Sequence, residues 1–300
     1  MTIKIASYNL WKGAENTYFR LIDFIKEEQF DVLCLQELNG WQSDDLAKVK
    51  DFADRAVFDS YTFCNSNSEY KLAAFSNLPV TFHNVYVEGF WHGVIEMHVK
   101  AGDFEFSIVN LHLDPYKEEP RMGEIHRMLE LIDTDKPRII TGDFNSVSRK
   151  DNYPPEFLSE LQKRKFYKFG MNELDFGVTD LLESKGYIDA AAQIGNKDTT
   201  VPSPYGENYA KDEVAATEAP ARIDYFFVSE ELVPMVKGYE VVKNHDTDRL
   251  SDHYPIVLTL EFADSEGKSS TQAEKSDATE IPKKSEPIES DDGTIEIKLH

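Results

Sequence analysis

Four apolar runs of this chain stop at residues that can ligate a cation or move a proton. Run 3–8 stops at Asn9, run 32–35 at Gln36 and Glu37, run 106–111 at His112, and run 138–141 at Gly142, Asp143 and Asn145. Two clusters precede similar runs instead: Arg222 and Asp224 open 223–229, and Ser251, Asp252 and His253 come before 254–262. Glu37 and Asp252 are hard oxygen donors suited to Mg2+, which takes one or two carboxylates and keeps its other waters for exchange. His253 is the best acid–base group, because imidazole titrates near neutral pH and a carboxylate can fix its tautomer. Singly, each residue has an ordinary explanation: Asn9 as a turn or cap, Glu37 as a solvated acid, His112 as a bonded structural histidine, and residues 142–145 as an Asx turn. Their joint occurrence at equivalent strand ends is what points to one shared site.

Strand-like runs over 3–10, 32–35, 71–76, 94–99, 104–111, 138–141, 223–229 and 254–262 must position these groups. Helical patterns lie between several of them. Asn16 is placed to cap a helix with Phe19, Ile22 and Ile25 on one face, and Ser43 to cap another with Leu46, Val49 and Phe52. A third carries Met122, Ile125, Leu129 and Ile132, a fourth Phe157, Leu158 and Leu161, and a fifth runs from Thr179 to a stop at Gly186. The chain is therefore α/β. Open α/β sheets bind ligands outside the carboxyl ends of their strands. The 222–224 and 251–253 clusters reach that same edge only if their strands run antiparallel to the first four, so a single site requires mixed sheets.

The 300 residues are 41% hydrophobic, enough for one large core or two smaller ones. A net charge of -23, from 32 bases and 55 acids, argues against a nonspecific nucleic-acid coat protein. It does not argue against an enzyme, since a divalent cation reverses the local sign where a phosphate binds. No signal-like or membrane-spanning run is present, so a cytoplasmic protein with no integral membrane segment is expected. Cys34 and Cys64 form no metal pair, and Cys34 behaves as a small hydrophobe inside an apolar run. Residues 195–221, with three prolines and two glycines, read as a long loop. From Ala263 onward ten acids and five bases accompany almost no large apolar residues, which predicts a disordered acidic tail over 263–300 beyond a 1–262 catalytic unit. A short strand over 294–299 would make a partner-binding end. The acidic loops lack the alternating ligand spacing of a calcium loop, and a calcium-binding structural role does not explain His112 and His253.

The segments SYNLW (7–11), LQEL (35–38), NLHLD (110–114), GDFNS (142–146), RIDYFFVS (222–229) and SDHYPI (251–256) resemble, in order, the motifs of the endonuclease/exonuclease/phosphatase superfamily. The resemblance spans about residues 1–262. It implies a deoxyribonuclease-I-like four-layer sandwich, two packed mixed β-sheets flanked by helices, and metal-dependent hydrolysis of a phosphodiester or phosphomonoester by in-line attack of water. Such a reaction needs a nucleophile, neutralisation of phosphoryl charge and help for the leaving group. By resemblance, Asn9 orients the metal or a phosphate oxygen, joining Glu37 and Asp252 at an Mg2+ site that Mn2+ can also fill. Asn145 works beside Asp143 on the attacking water, Asp224 partners His253, and His112 donates to the scissile phosphate. Two candidates compete for the water's proton, Asp143 and the His253–Asp224 pair. The implied partner is a phosphate-ester substrate, nucleic acid or a small phosphodiester, met by a monomer. The alternative is a catalytically silent phosphate-ligand module of the same fold. The abasic-site branch usually carries tyrosine where His112 stands and a tryptophan loop before RIDY, whereas residues 199–221 hold none, which disfavours abasic-site repair. Trp11 and Trp41 are placed to stack a base or sugar, or to pack, and Arg121 and Glu124 to reach substrate; His92, His98 and His126 read as structural or solvated.

Overall fold

The computed structural model describes residues 1–132, 135–209, 220–262 and 294–298. Its strands are β1 (Thr2–Asn9), β2 (Val32–Gln36), β3 (Ser60–Cys64), β4 (Leu72–Ser76), β5 (Val80–Tyr86), β6 (Val94–Ala101), β7 (Phe104–His112), β8 (Arg138–Asp143), β9 (Ile188–Asp189), β10 (Asp224–Val228), β11 (Val236–Val241), β12 (Ile256–Glu261) and β13 (Thr294–Lys298). The helices are α1 (Tyr18–Glu28), α2 (Ser43–Ala56), α3 (Glu118–Leu131), α4 (Pro155–Lys163), α5 (Gly177–Ser184), α6 (Ala190–Ile194) and α7 (Pro204–Tyr209). One sheet runs β11-β12-β1-β2-β4-β3-β13 and the other β5-β6-β7-β8-β10-β9. The β1–β2 and β7–β8 pairs are parallel, while β12 and β10 run antiparallel to their neighbours β1 and β8, as a single site demands.

Side chains alternate faces along a strand, and this period sorts the apolar residues into layers. Ile3 and Ile5 of β1, Val32 and Cys34 of β2, Phe106 and Ile108 of β7, Ile139 of β8 and Phe226 and Val228 of β10 share one core between the sheets. Their alternates Ala6, Tyr8, Leu33 and Leu35 pack beneath Leu21, Ile25, Val49 and Phe52 of α1 and α2. On the other sheet Val109, Leu111, Ile140, Tyr225 and Phe227 pack beneath Ile125 and Met128 of α3 and Val178 and Leu182 of α5. The order is helix, sheet, sheet, helix. Each buried aliphatic or phenyl side chain contributes about 1.5–3 kcal/mol relative to exposure, so the alternation is strongly specified.

Several local expectations are corrected. Phe19 is 66% exposed; the buried face of α1 is Leu21, Ile22, Phe24 and Ile25. Asn16 does not cap α1. Thr17 precedes it, and its hydroxyl donates to the Leu250 carbonyl at 3.0 Å. Within α2, Asp44, Asp45 and Leu46 take left-handed backbone angles before the regular helix begins. Strands β3, β5, β9 and β11 are additional to the runs read from sequence. The 195–221 stretch contains α7 and an antiparallel bridge between Val201 and Ala221. The tail expectation falls mostly on residues 263–293 and 299–300, outside the described residues; β13 within it pairs antiparallel with β3. Cys34 and Cys64 are buried free thiols, and among the described residues no helix is long and apolar enough to cross a membrane.

Candidate active site

The same period of two decides what meets at the sheet edge. Asn9 shares the inward face of Ile3 and Ile5, Gln36 that of Val32 and Cys34, His112 that of Phe106 and Ile108, Asp143 that of Ile139, and Asp224 that of Phe226 and Val228. In the second sheet β8 lies between β7 and β10, and the register aligns His112 with Asp143 and Asp143 with Asp224. Asn9 approaches from the facing sheet. Below it the sheets are joined by a buried amide bridge, in which Gln36 Nε2 donates to Asn110 Oδ1 at 2.8 Å and to Ser7 Oγ at 3.1 Å.

Asp143 Oδ2 is the focus of the cluster. Asn9 Nδ2 donates to it at 3.0 Å, and the Nε2 atoms of His112 and His253 stand 3.3 and 3.7 Å away. Its Oδ1 accepts the Asn145 backbone N–H at 2.8 Å. Although burial pushes the Asp143 carboxyl up, His112, His253, Lys168 and that N–H together hold it below the usual range. His253 Nδ1 donates to Asp224 Oδ2 at 2.8 Å. Burial opposes the imidazolium, yet Asp224 and Asp143 raise His253 to about 10. Burial lowers His112 to about 4. The two histidines on one carboxylate are thus driven apart, one cationic and one neutral at pH 7, the separation that distinguishes acid–base roles in a site.

Glu37 and Asp252 line the cleft beside this cluster. Glu37 leaves β2 with a left-handed φ of 59°; its Oε1 accepts from Asn9 Nδ2 at 3.3 Å and its Oε2 from the Lys12 N–H at 3.1 Å. Loss of solvation and the Glu37 carboxylate push Asp252 up to about 6. Asn9 Oδ1 accepts the Trp11 N–H at 3.0 Å, so the amide turns its nitrogen to the carboxylates. Ser251 Oγ donates to the Asn9 carbonyl at 2.7 Å and ties the 251–253 turn to β1. Among the described residues, Asp143, Asp224 and His253 bring three potential ligand atoms within 4.8 Å of one another. The donor set fits a divalent cation: Glu37 and Asp252 supply oxygens whose mutual repulsion a cation would relieve.

Gly142 makes this geometry possible. Its φ of 136° is open to glycine alone, and a Cβ there would collide with the Leu111 carbonyl of the adjacent strand. Gly142→Ala is therefore expected to cost about 3 kcal/mol or more through strain and overpacking, lowering the melting temperature by roughly 10 °C. Thermal denaturation checks this, and an unchanged melting temperature would show that β8 shifts without cost.

Not every sequence candidate reaches the cleft. Trp41 is wholly buried and donates its indole N–H to the Gly13 carbonyl, so of these two tryptophans Trp11 alone lines the cleft. Arg121 is buried, bonded to Glu118 and to the carbonyls of Asp114 and Lys168. Glu124 accepts the N–H groups of Trp91 and Asp114. Both hold loops in place, and neither lines the cleft. Arg222 likewise turns into buried pairs with Asp151 and Asp189, fixing the start of β10. Conversely, His92 belongs to the cleft wall: its ring stacks on His112 at 4.1 Å and 23°. Lys168 also lines the cleft; it donates to Asn145 Oδ1, and burial lowers it to about 8. His98 pairs with buried Glu96, and His126 is exposed. Neither His92 nor Lys168 stands at a strand end, so no periodic signal marks them.

The family model for the endonuclease/exonuclease/phosphatase family matches residues 6–253. The chain belongs to this family. The endonuclease/exonuclease/phosphatase fold is shared with an AP endonuclease from Archaeoglobus fulgidus, 16% identical over 87% of this chain and 100% of that one, with a TM-score of 0.64. A humanized D. rerio TDP2 carrying 14 mutations is 16% identical over 87% and 99%, TM-score 0.59. A family protein from Bacteroides thetaiotaomicron is 18% identical over 91% and 99%, TM-score 0.59. At these identities the likeness shows the fold, a deoxyribonuclease-I-like four-layer sandwich. No curated protein matches the chain. Family membership supports phosphoester hydrolase activity.

Proposed function

We propose that the chain hydrolyses phosphate esters by in-line attack of water, with Mg2+ held by Glu37 and Asp252 and Mn2+ able to replace it. The observation that carries this reading is the convergence of Asn9, His112 and His253 on Asp143 Oδ2, beside the Glu37 and Asp252 carboxylates, where burial and Glu37 raise Asp252 even with His253 at hand. Asp143 accepts from the attacking water, orients it and takes its proton. Asn145 works beside Asp143 on that water, and Lys168, which donates to Asn145 Oδ1, positions the phosphoryl group opposite it. His253, fixed by Asp224, presents an N–H to a phosphoryl oxygen or to the leaving group, where developing charge makes the hydrogen bond strongest. His112 donates as a neutral imidazole. Asn9 keeps Glu37 and Asp143 in register. The bound cation supplies neutralisation of phosphoryl charge.

Turnover of bis(p-nitrophenyl) phosphate and p-nitrophenyl phosphate in excess Mg2+ or Mn2+ tests the reading. Cleavage of either is the expected result. No turnover of both, with a folded protein, would overturn hydrolysis in favour of a silent phosphate-binding module.

A further inference from the structure

We propose that a groove on the far side of Trp11 binds a second phosphate of the substrate, and that this substrate is a single-stranded polynucleotide. The inference rests on the phosphoester reading above. A cavity of about 760 Å³ is lined by Arg20, His245, Arg249, Tyr205 and Trp11. Trp11 also lines the catalytic cleft, so one indole forms the wall between the two.

The arginines distinguish this groove. The other seven arginines are each engaged by an acid, a hydroxyl or another neighbour. Arg20 and Arg249 are exposed, and among the described residues neither guanidinium forms an ion pair or hydrogen bond. With 55 acids against 32 bases, unpaired arginines are not expected by chance to share one groove. The acid that lines it, Asp248, already accepts from the Tyr254 hydroxyl at 2.7 Å. A guanidinium fork matches phosphate bidentately, which assigns the groove an anion of that geometry.

Aromatic rings select the rest of the ligand. Trp11 meets Tyr205 edge to face at 5.5 Å, between the scissile site and the arginines. Across the cleft, Trp91 and Tyr116 form a second edge-to-face pair at 5.7 Å, 47% and 64% exposed. Rings flanking a cleft, with arginines beyond one of them, match a strand whose unpaired bases stack while its backbone follows positive charge. A duplex keeps its bases stacked on each other and leaves such rings without partners.

The test compares kcat/KM on thymidine 5′-(p-nitrophenyl) phosphate, which ends before the groove, with that on a single-stranded 12-mer. The proteins are wild type, Arg20→Ala, Arg249→Ala and the double variant, each checked by thermal denaturation. The double variant is expected to lose about tenfold or more on the 12-mer and to stay within about twofold on the short diester. The logarithmic salt dependence of the 12-mer KM should flatten by about 0.7 per arginine removed. Equal losses on both substrates, or no loss on the 12-mer, would overturn the groove. Cleavage of the diester or of an inositol polyphosphate by wild type, without cleavage of the 12-mer, would overturn the polynucleotide and leave the phosphoester reading standing. No turnover of any ester would end both.

Discussion

Replacement of Asp143 by Asn is expected to lower turnover by at least about 100-fold and up to about 10,000-fold, the range of a positioned acid–base group. The carboxylate is 2% exposed and receives Asn9, His112, His253 and the Asn145 N–H, so an amide there changes the charge at the centre of the cluster while keeping its shape. His253→Ala and Asp224→Asn should each fall within the same range. They should resemble one another, because Nδ1 of His253 and Oδ2 of Asp224 form one 2.8 Å unit. Their double variant should lose much less than the product of the single losses. These side chains sit at the floor of the cleft, which Asp143 and His253 line, and are largely buried: Asp224 is 2% and His253 6% exposed. His253→Ala strands a buried carboxylate and should therefore also lower the melting temperature, whereas Asp224→Asn preserves the packing. Rates are accordingly compared at temperatures where each variant is folded. Near wild-type turnover for His253→Ala, or strictly multiplicative losses, would remove the dyad and leave the cation site untouched.

Chelation by EDTA is expected to abolish turnover, and Mg2+ or Mn2+ to restore it. Glu37 and Asp252 are oxygen donors, and no cysteine lies with them to favour zinc. A second readout needs no substrate. Binding to the folded state stabilises it by about 2.7 kcal/mol at a hundredfold excess over Kd. Mg2+ should therefore raise the melting temperature of the parent, and much less that of a Glu37→Gln, Asp252→Asn double variant. The effect should weaken in acid. Asp252 is held near 6, so below that pH a proton competes with the cation for its oxygens. Without the cation the sign reverses. A carboxyl raised on folding adds stability that is complete below its unfolded pKa near 4 and is lost as pH passes 6. The Mg2+-induced shift should accordingly be larger at pH 7.5 than at pH 5. Full turnover by a metal-stripped protein, or an equal Mg2+ shift in the double variant, would refute the assignment.

Sequence determined which faces of the central strands are apolar, and with them where Asn9, Glu37, His112, Asp143, Asp224 and His253 leave the core. Alternation of hydrophobic residues is a local signal with a fixed period, and it carries Asn9, His112, Asp143 and Asp224 to the inward face without reference to the rest of the chain, whereas Glu37 reaches the cleft through a left-handed turn and His253 through the 251–253 turn. The requirement that β10 and β12 run antiparallel followed from the same residues standing at strand beginnings. Edge strands escaped that logic. β5 places partly exposed Thr81, Phe82, His83 and Asn84 along one rim, and β11 contains Gly238, so neither has an apolar period of its own; pairing with β6 and β12 makes them strands. Helix faces were read less well where tertiary packing chose among several apolar residues, as at Phe19. Trp41 shows the limit of adjacency: it follows Glu37 by four residues but turns into the core against Tyr18 of α1 and Phe52 of α2. Only the tertiary structure decided the rest. The register that sets His112 and Asp224 on either side of Asp143 joins residues 31 and 81 positions away, the stack of His92 on His112 joins two different elements, and Lys168 arrives on a loop. Loops carry no periodicity, and contacts between residues distant in sequence depend on how whole sheets pack, so the placement of Lys168, His92, Arg20 and Arg249 exists only once the sandwich has closed.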